Sequence, residues 1–155
     1  GGLAAEAGDP GGGAGVLRGM KRRLRTDRRR VLTEFGRLCL AGAAWAVDEA
    51  MVDAFVARAE GLDDGDLVAG LGFLASGDWR AGLKTVTIPT LVMHGSTDRV
   101  APVSQGRFVA ASVPGSRLSV LAGVGHALPM LAPTAVAPAI PARFDVCTAC
   151  PRACG

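Results

Sequence analysis

Aromatic residues are scarce in this 155-residue chain: 5% of the total, with no tyrosine. Long apolar runs are missing too. None reaches the ~18 residues a membrane-spanning helix needs, so an integral membrane protein is not expected. Residues 1–15 carry Glu6 and Asp9 without any basic cluster, and they lack an initiator Met. That composition is not expected of a signal or transit peptide, and with no span either, the expected compartment is the cytoplasm. There is no internal repeat. With 49% hydrophobic and 20% charged residues the chain is not a wholly disordered one. Its length fits one compact domain with irregular ends, able to bury about two-thirds of its unfolded surface without disulfides.

Cysteine is concentrated rather than plentiful. Of four, Cys147, Cys150 and Cys154 crowd the C-terminal end and Cys39 stands alone in a helical segment. A closed zinc site needs four ligands, and no histidine is near the tail. The expectation is an irregular tail with exposed thiols and no metal.

The net charge of +3 hides a segregation. From Val16 to Leu40 nine basic residues face only Asp27 and Glu34, a local +7. From Ala46 to Asp78 eight acidic residues face only Arg58, a local −7. Charge blocks bear on partners and steering rather than on fold. Two readings are open: oppositely charged helices lying side by side, or a docking surface. No aromatics interleave with the arginines to stack on bases, so no nucleic-acid partner is expected.

Residues 1–15, rich in Gly and Ala, read as a flexible end. A helix is predicted from Thr26, which can cap it, with Asp27 suited to its N-terminal end and Val31, Leu32, Phe35, Leu38 and Cys39 on one face. A second starts near Asp48 and Glu49 and stops at Gly61. A third runs from about Asp66 through Leu67, Leu71 and Leu74 to Gly77. The texture then changes. Thr90 to His94 is a short β-branched apolar run ended by Gly95, Pro102 opens a helix through Phe108, and Arg117 to Leu121 alternates like a strand. Strand, helix and strand with short connections predict a parallel βαβ unit.

Open parallel sheets place their sites beyond the carboxyl ends of strands. Asp98 follows the first strand within Gly95-Ser96-Thr97-Asp98, and His126 follows the second in a Gly-x-Gly-His loop. Both loops open on one edge, so the carboxylate can hold the imidazole Nδ1–H while Nε2 accepts a proton. The plainer alternative is that Asp98 caps a turn and His126 fills a loop.

Pro89 to Pro102 (PTLVMHGSTDRVAP), with Gly123-Val124-Gly125-His126-Ala127-Leu128-Pro129, resembles the C-terminal half of the α/β-hydrolases, whose chain order is Ser, then acid, then His. Gly70-Leu71, Leu74, Asp78-Trp79-Arg80, Leu83, Ile88 and Pro89 resemble the pimeloyl-acyl-carrier-protein methyl ester esterases of biotin synthesis. The likeness spans roughly Leu17 to Pro133 and is strongest after Leu67.

It implies an α/β fold class: a partial α/β-hydrolase fold in which a helical cap (16–77) precedes the last βαβ unit (78–133). The N-terminal strands are absent, and an irregular tail (134–155) follows. It implies Asp98 and His126 as catalytic residues and an ester substrate, one that an acidic acyl carrier protein can present. No cofactor is implied. Of the cap arginines, Arg25, Arg28 and Arg29 are the candidates for engaging such a carrier.

What the family has and this chain lacks is the nucleophile. None of Ser76, Ser96, Ser104, Ser112, Ser116 and Ser119 sits in Gly-x-Ser-x-Gly, and no oxyanion loop precedes them. The expectation is a carboxylic-ester hydrolase portion inactive by itself. The alternatives are another branch, such as an enol-lactonase or small-ester hydrolase, or a non-catalytic module binding an acidic partner. Pro133, Pro138 and Pro141 exclude a long closing helix.

Overall fold

The computed structural model describes residues 12–42 and 47–140. The Cys147, Cys150 and Cys154 tail and most of the Gly/Ala-rich start lie outside them.

Four helices lead: α1 Gly12–Leu24, α2 Arg28–Leu40, α3 Glu49–Glu60 and α4 Asp64–Ser76. Helix α1 corrects the expectation of a flexible end through residue 15, since the helix begins at Gly12. Its glycines are poor helix formers, but Leu24 is buried and Met20 packs against the shared core, and tertiary packing overrides weak propensity. Thr26 does not cap α2. Its hydroxyl donates to the Arg23 carbonyl in the turn that closes α1 (3.3 Å), and Asp27 holds the cap position without a side-chain capping bond. The next two caps form as carboxylate caps. Asp48 accepts from the Ala50 N–H and Asp63 from the Gly65 N–H.

The core lies in this helical layer. Leu24, Val31, Leu32, Leu40, Val52 and Val56 are buried together, with Phe55, Leu67 and Leu71 packed against them. Gly36 lets α2 and α3 approach, because a methyl there would stand 2.9 Å from the Phe55 ring. Leu38, expected on the apolar face of α2, is exposed instead, as is Leu74 of α4.

The oppositely charged segments lie side by side. Arg28 pairs with Asp64, Arg29 with Glu60 (2.8 Å) and Arg37 with Glu49 (2.7 Å), each joining the basic block to the acidic one.

After the one-turn α5 (Arg80–Leu83), strand β1 (Leu91–Gly95), helix α6 (Val103–Ser112) and strand β2 (Arg117–Leu121) form the βαβ unit. The strands pair in parallel, Leu91 opposite Arg117 and Gly95 opposite Leu121, so both carboxyl ends reach the same edge. Two single-turn helices, α7 (Leu128–Leu131) and α8 (Pro133–Val136), and a 3₁₀ turn (Ala137–Ala139) follow. Ordered turns therefore continue past residue 134, where irregular chain was expected, and the prolines keep each to about one turn. No helix among the described residues is long and apolar enough to cross a membrane.

Candidate active site

Parallel register brings the two predicted residues together. His126 Nδ1 lies 2.8 Å from Asp98 Oδ2. A carboxylate accepts, so Nδ1 carries the hydrogen, and in the neutral ring Nε2 is then the acceptor. The carboxylate is 3% exposed and the imidazole 38% exposed, so the acid is enclosed and the base faces outward.

Asp98 is held by its own loop. Its Oδ1 accepts from the backbone N–H groups of Val100 (2.8 Å) and Ala101 (2.9 Å). The plainer turn-capping reading is therefore also true of this side chain: one oxygen caps the turn and the other faces the histidine. The acid and histidine loops are stitched to each other as well. Thr97 donates to the Val124 carbonyl from both its amide and its hydroxyl, and the Gly123 N–H donates to Ser96 Oγ (2.9 Å). Gly123 takes φ 73°, a left-handed conformation that favours glycine. That bond occupies Ser96 in holding the histidine loop.

Two contributors went unseen in the sequence. His94, in β1, places Nε2 2.8 Å from the Ala101 carbonyl and 3.4 Å from Asp98 Oδ2. Its signal was its place four residues before Asp98. The C-terminal end of α2 is the other. The Cys39 carbonyl accepts from the Ala127 N–H (3.0 Å), and the Ala41 carbonyl lies where any side chain at Gly125 would go. The helical layer thus buttresses the histidine loop directly. Burial, and then the charge of Asp98, push the Cys39 thiol up to about 11.

The three cap arginines behave differently. Arg28 turns inward, where its guanidinium donates to the carbonyls of Ala59 (2.9 Å), Glu60 (3.3 Å) and Leu62 (2.7 Å) besides pairing with Asp64. It acts as a C-terminal cap for α3 rather than a free docking group. Arg29 is shared with Glu60, and Arg25 is exposed with no ion pair among the described residues. No group of three or more metal-ligating side chains occurs among the described residues.

The sequence profile of the Alpha/beta hydrolase family matches residues 2–139. The chain belongs to this family. Among curated α/β-hydrolase relatives, pimeloyl-acyl-carrier-protein methyl ester esterase from Aromatoleum aromaticum is 36% identical over 76 residues, covering 49% of this chain and 30% of the relative. An esterase from Exiguobacterium antarcticum has the same fold with TM-score 0.74 at 25% identity, over 83% of this chain and 47% of the esterase. A bromoperoxidase from Bacillus anthracis shares the fold with TM-score 0.79 at 23% identity, over 89% of this chain and 52% of that enzyme. This hydrolase chain thus spans about half the length of these solved structures, and less of the curated relative.

Proposed function

We propose that this chain supplies the acid–base half of a serine carboxylic-ester hydrolase, with Asp98 and His126 as its catalytic pair. The observation that carries the reading is the buried carboxylate 2.8 Å from the Nδ1 of a half-exposed imidazole. In that role His126 Nε2 takes the hydroxyl proton as a serine, contributed from outside these 155 residues, attacks the ester carbonyl. The tetrahedral oxyanion then collapses, the alkoxide leaves with that proton as an alcohol, and Nε2 next deprotonates the water that cleaves the acyl-serine. Asp98 keeps the ring in the Nδ1–H tautomer throughout and faces the imidazolium when it forms. The finer reading is a methyl ester carried on an acyl carrier protein in the cytoplasm. Its support is the similarity to the Aromatoleum aromaticum esterase and the exposed Arg25 near the basic face of α2.

The test is a hybrid. The N-terminal portion of that esterase, up to where the likeness begins, is fused to this chain, and hydrolysis of p-nitrophenyl acetate and of a carrier-borne methyl ester is followed. The expected result is turnover by the hybrid, none by the chain alone, and a fall of about 10⁴ in kcat for Asp98→Asn. A folded hybrid that keeps full turnover with His126→Ala refutes the assignment. A hybrid that cleaves the small ester at equal rate with Arg25→Glu, and likewise the carrier-borne one, refutes the carrier docking alone.

A further inference from the structure

We propose that His94 is a positioning residue for the Asp98–His126 pair, its Nε2 edge holding the acid's outer oxygen toward the base. The side chain of Asp98 is enclosed by three hydrogen-bond donors and the edge of a second imidazole. Two backbone N–H groups serve Oδ1, while Oδ2 faces His126 Nδ1 at 2.8 Å and His94 Nε2 at 3.4 Å. The tautomer of His94 follows from its partner. A backbone carbonyl only accepts, so the Nε2 lying 2.8 Å from the Ala101 oxygen carries a hydrogen. That hydrogen goes to the Ala101 carbonyl, and the same Nε2 edge stands 3.4 Å from Oδ2.

The contacts close a ring. Ala101 N–H donates to Asp98 Oδ1, Ala101 C=O accepts from His94, and the same imidazole edge meets Oδ2. Rotation of the carboxylate away from His126 would turn Oδ2 off both imidazoles and strip Oδ1 of two backbone bonds. The His94 ring has no slack with which to follow. It lies on α6 where Gly106 has no side chain, and a methyl at that position would be 2.6 Å from Nδ1 and 2.9 Å from Cγ. At 13% side-chain exposure His94 is shielded from water, so it acts on the base only through Asp98. Its catalytic meaning rests on the hydrolase reading, whereas its effect on the pair does not.

The test reads the pair itself. In proton NMR spectra of the ¹⁵N-labelled chain, an Nδ1–H bonded to a carboxylate gives a strongly deshielded signal, assigned here by its loss in Asp98→Asn. His94→Phe keeps the ring volume without a donor, and His94→Gln keeps an N–H close to the Nε2 position. The signal is expected in the wild type and in His94→Gln. In His94→Phe it is expected to be lost or to exchange with water at least about tenfold faster while the amide spectrum stays dispersed.

An unchanged signal in His94→Phe overturns the proposal, as does no signal in the wild type. If His94→Phe fails to fold, His94→Asn replaces it, since its shorter amide cannot reach the Ala101 carbonyl. Equal signals in the Asn and Gln variants then overturn the proposal. An inactive hybrid beside this expected NMR series refutes the hydrolase reading and leaves the positioning role standing.

Discussion

A methyl group at residue 106 would meet the His94 ring, and the ring is tied at its far edge to the Ala101 carbonyl. Neither can yield without breaking that bond or shifting α6. Gly106→Ala should therefore destabilise the chain by about 1–3 kcal/mol, the usual cost of overpacking a tight site, read from urea unfolding. An unchanged midpoint would mean that the ring moves freely. Cys39 offers a second reading at this scale. With its thiol raised to about 11, little thiolate is present near neutral pH, and the group is buried. Iodoacetamide should leave Cys39 intact in the folded chain and modify it quickly in urea, a contrast peptide mapping would display. Rapid labelling without denaturant would show that the end of α2 opens away from the histidine loop.

Among the elements, the helical layer is where paired charge matters most. Arg28 satisfies three carbonyls at the end of α3 and joins α2 to α4 through Asp64. Hydrogen bonds to a charged group contribute about 1.5–3 kcal/mol, so Arg28→Met, which keeps the stem, should lower stability within that range. The exposed Arg29→Met should cost far less.

The acid side of the stability profile follows from three other sets of exposed ion pairs. Bonds from Arg23 and Arg30 hold the Glu34 carboxyl below its usual 4.5, Arg37 does the same for Glu49, and Arg80 holds Asp78 well below the carboxylate range. Between the depressed folded value and the ordinary unfolded one, the unfolded chain binds more protons. The stabilisation is thus complete above the ordinary value and is lost as pH falls through the folded one. The melting temperature should start to fall as pH drops below about 5 and go on falling through the depressed folded values, and about 0.5 M salt should shrink that drop by screening exposed pairs. A melting temperature indifferent to both would leave these pairs without energetic weight.

What the sequence made legible at this scale had a clear periodic signal. Helices α3 and α4 and the two strands fall within a few residues of where carboxylate caps, glycine stops and β-branched runs put them. Helix α1 escaped because its glycines hide an amphipathic pattern that only packing against α4 reveals. Asp98 and His126 were legible because parallel strands send their loops to one edge whatever the side chains. His94 was not, because its place four residues before Asp98 does not show which carbonyl the ring will meet.

For the whole molecule, the sheet is the unfinished part. Among the described residues it has two strands, β1 and β2, and a pair of strands is marginal in water by itself. Its surroundings match that arithmetic: Ile88 before β1, Leu91 at its start and Phe108 on the neighbouring α6 are exposed. The solved structures that share the fold are matched over about half their length, and the nucleophile motif of the family is not among these residues.

The prediction is that the outer edge of the pair is completed by the other half of the fold. Amide exchange decides it. In the chain alone, the backbone N–H groups of residues 91–95 that do not pair with β2 should exchange as quickly as those of a loop. In the hybrid carrying the N-terminal half they should slow by about a hundredfold or more, because a paired strand opens only with its sheet. The β2-paired amides serve as the internal reference. If both sets slow equally, the added half stabilises the sheet without extending it. If neither slows, the two halves do not dock.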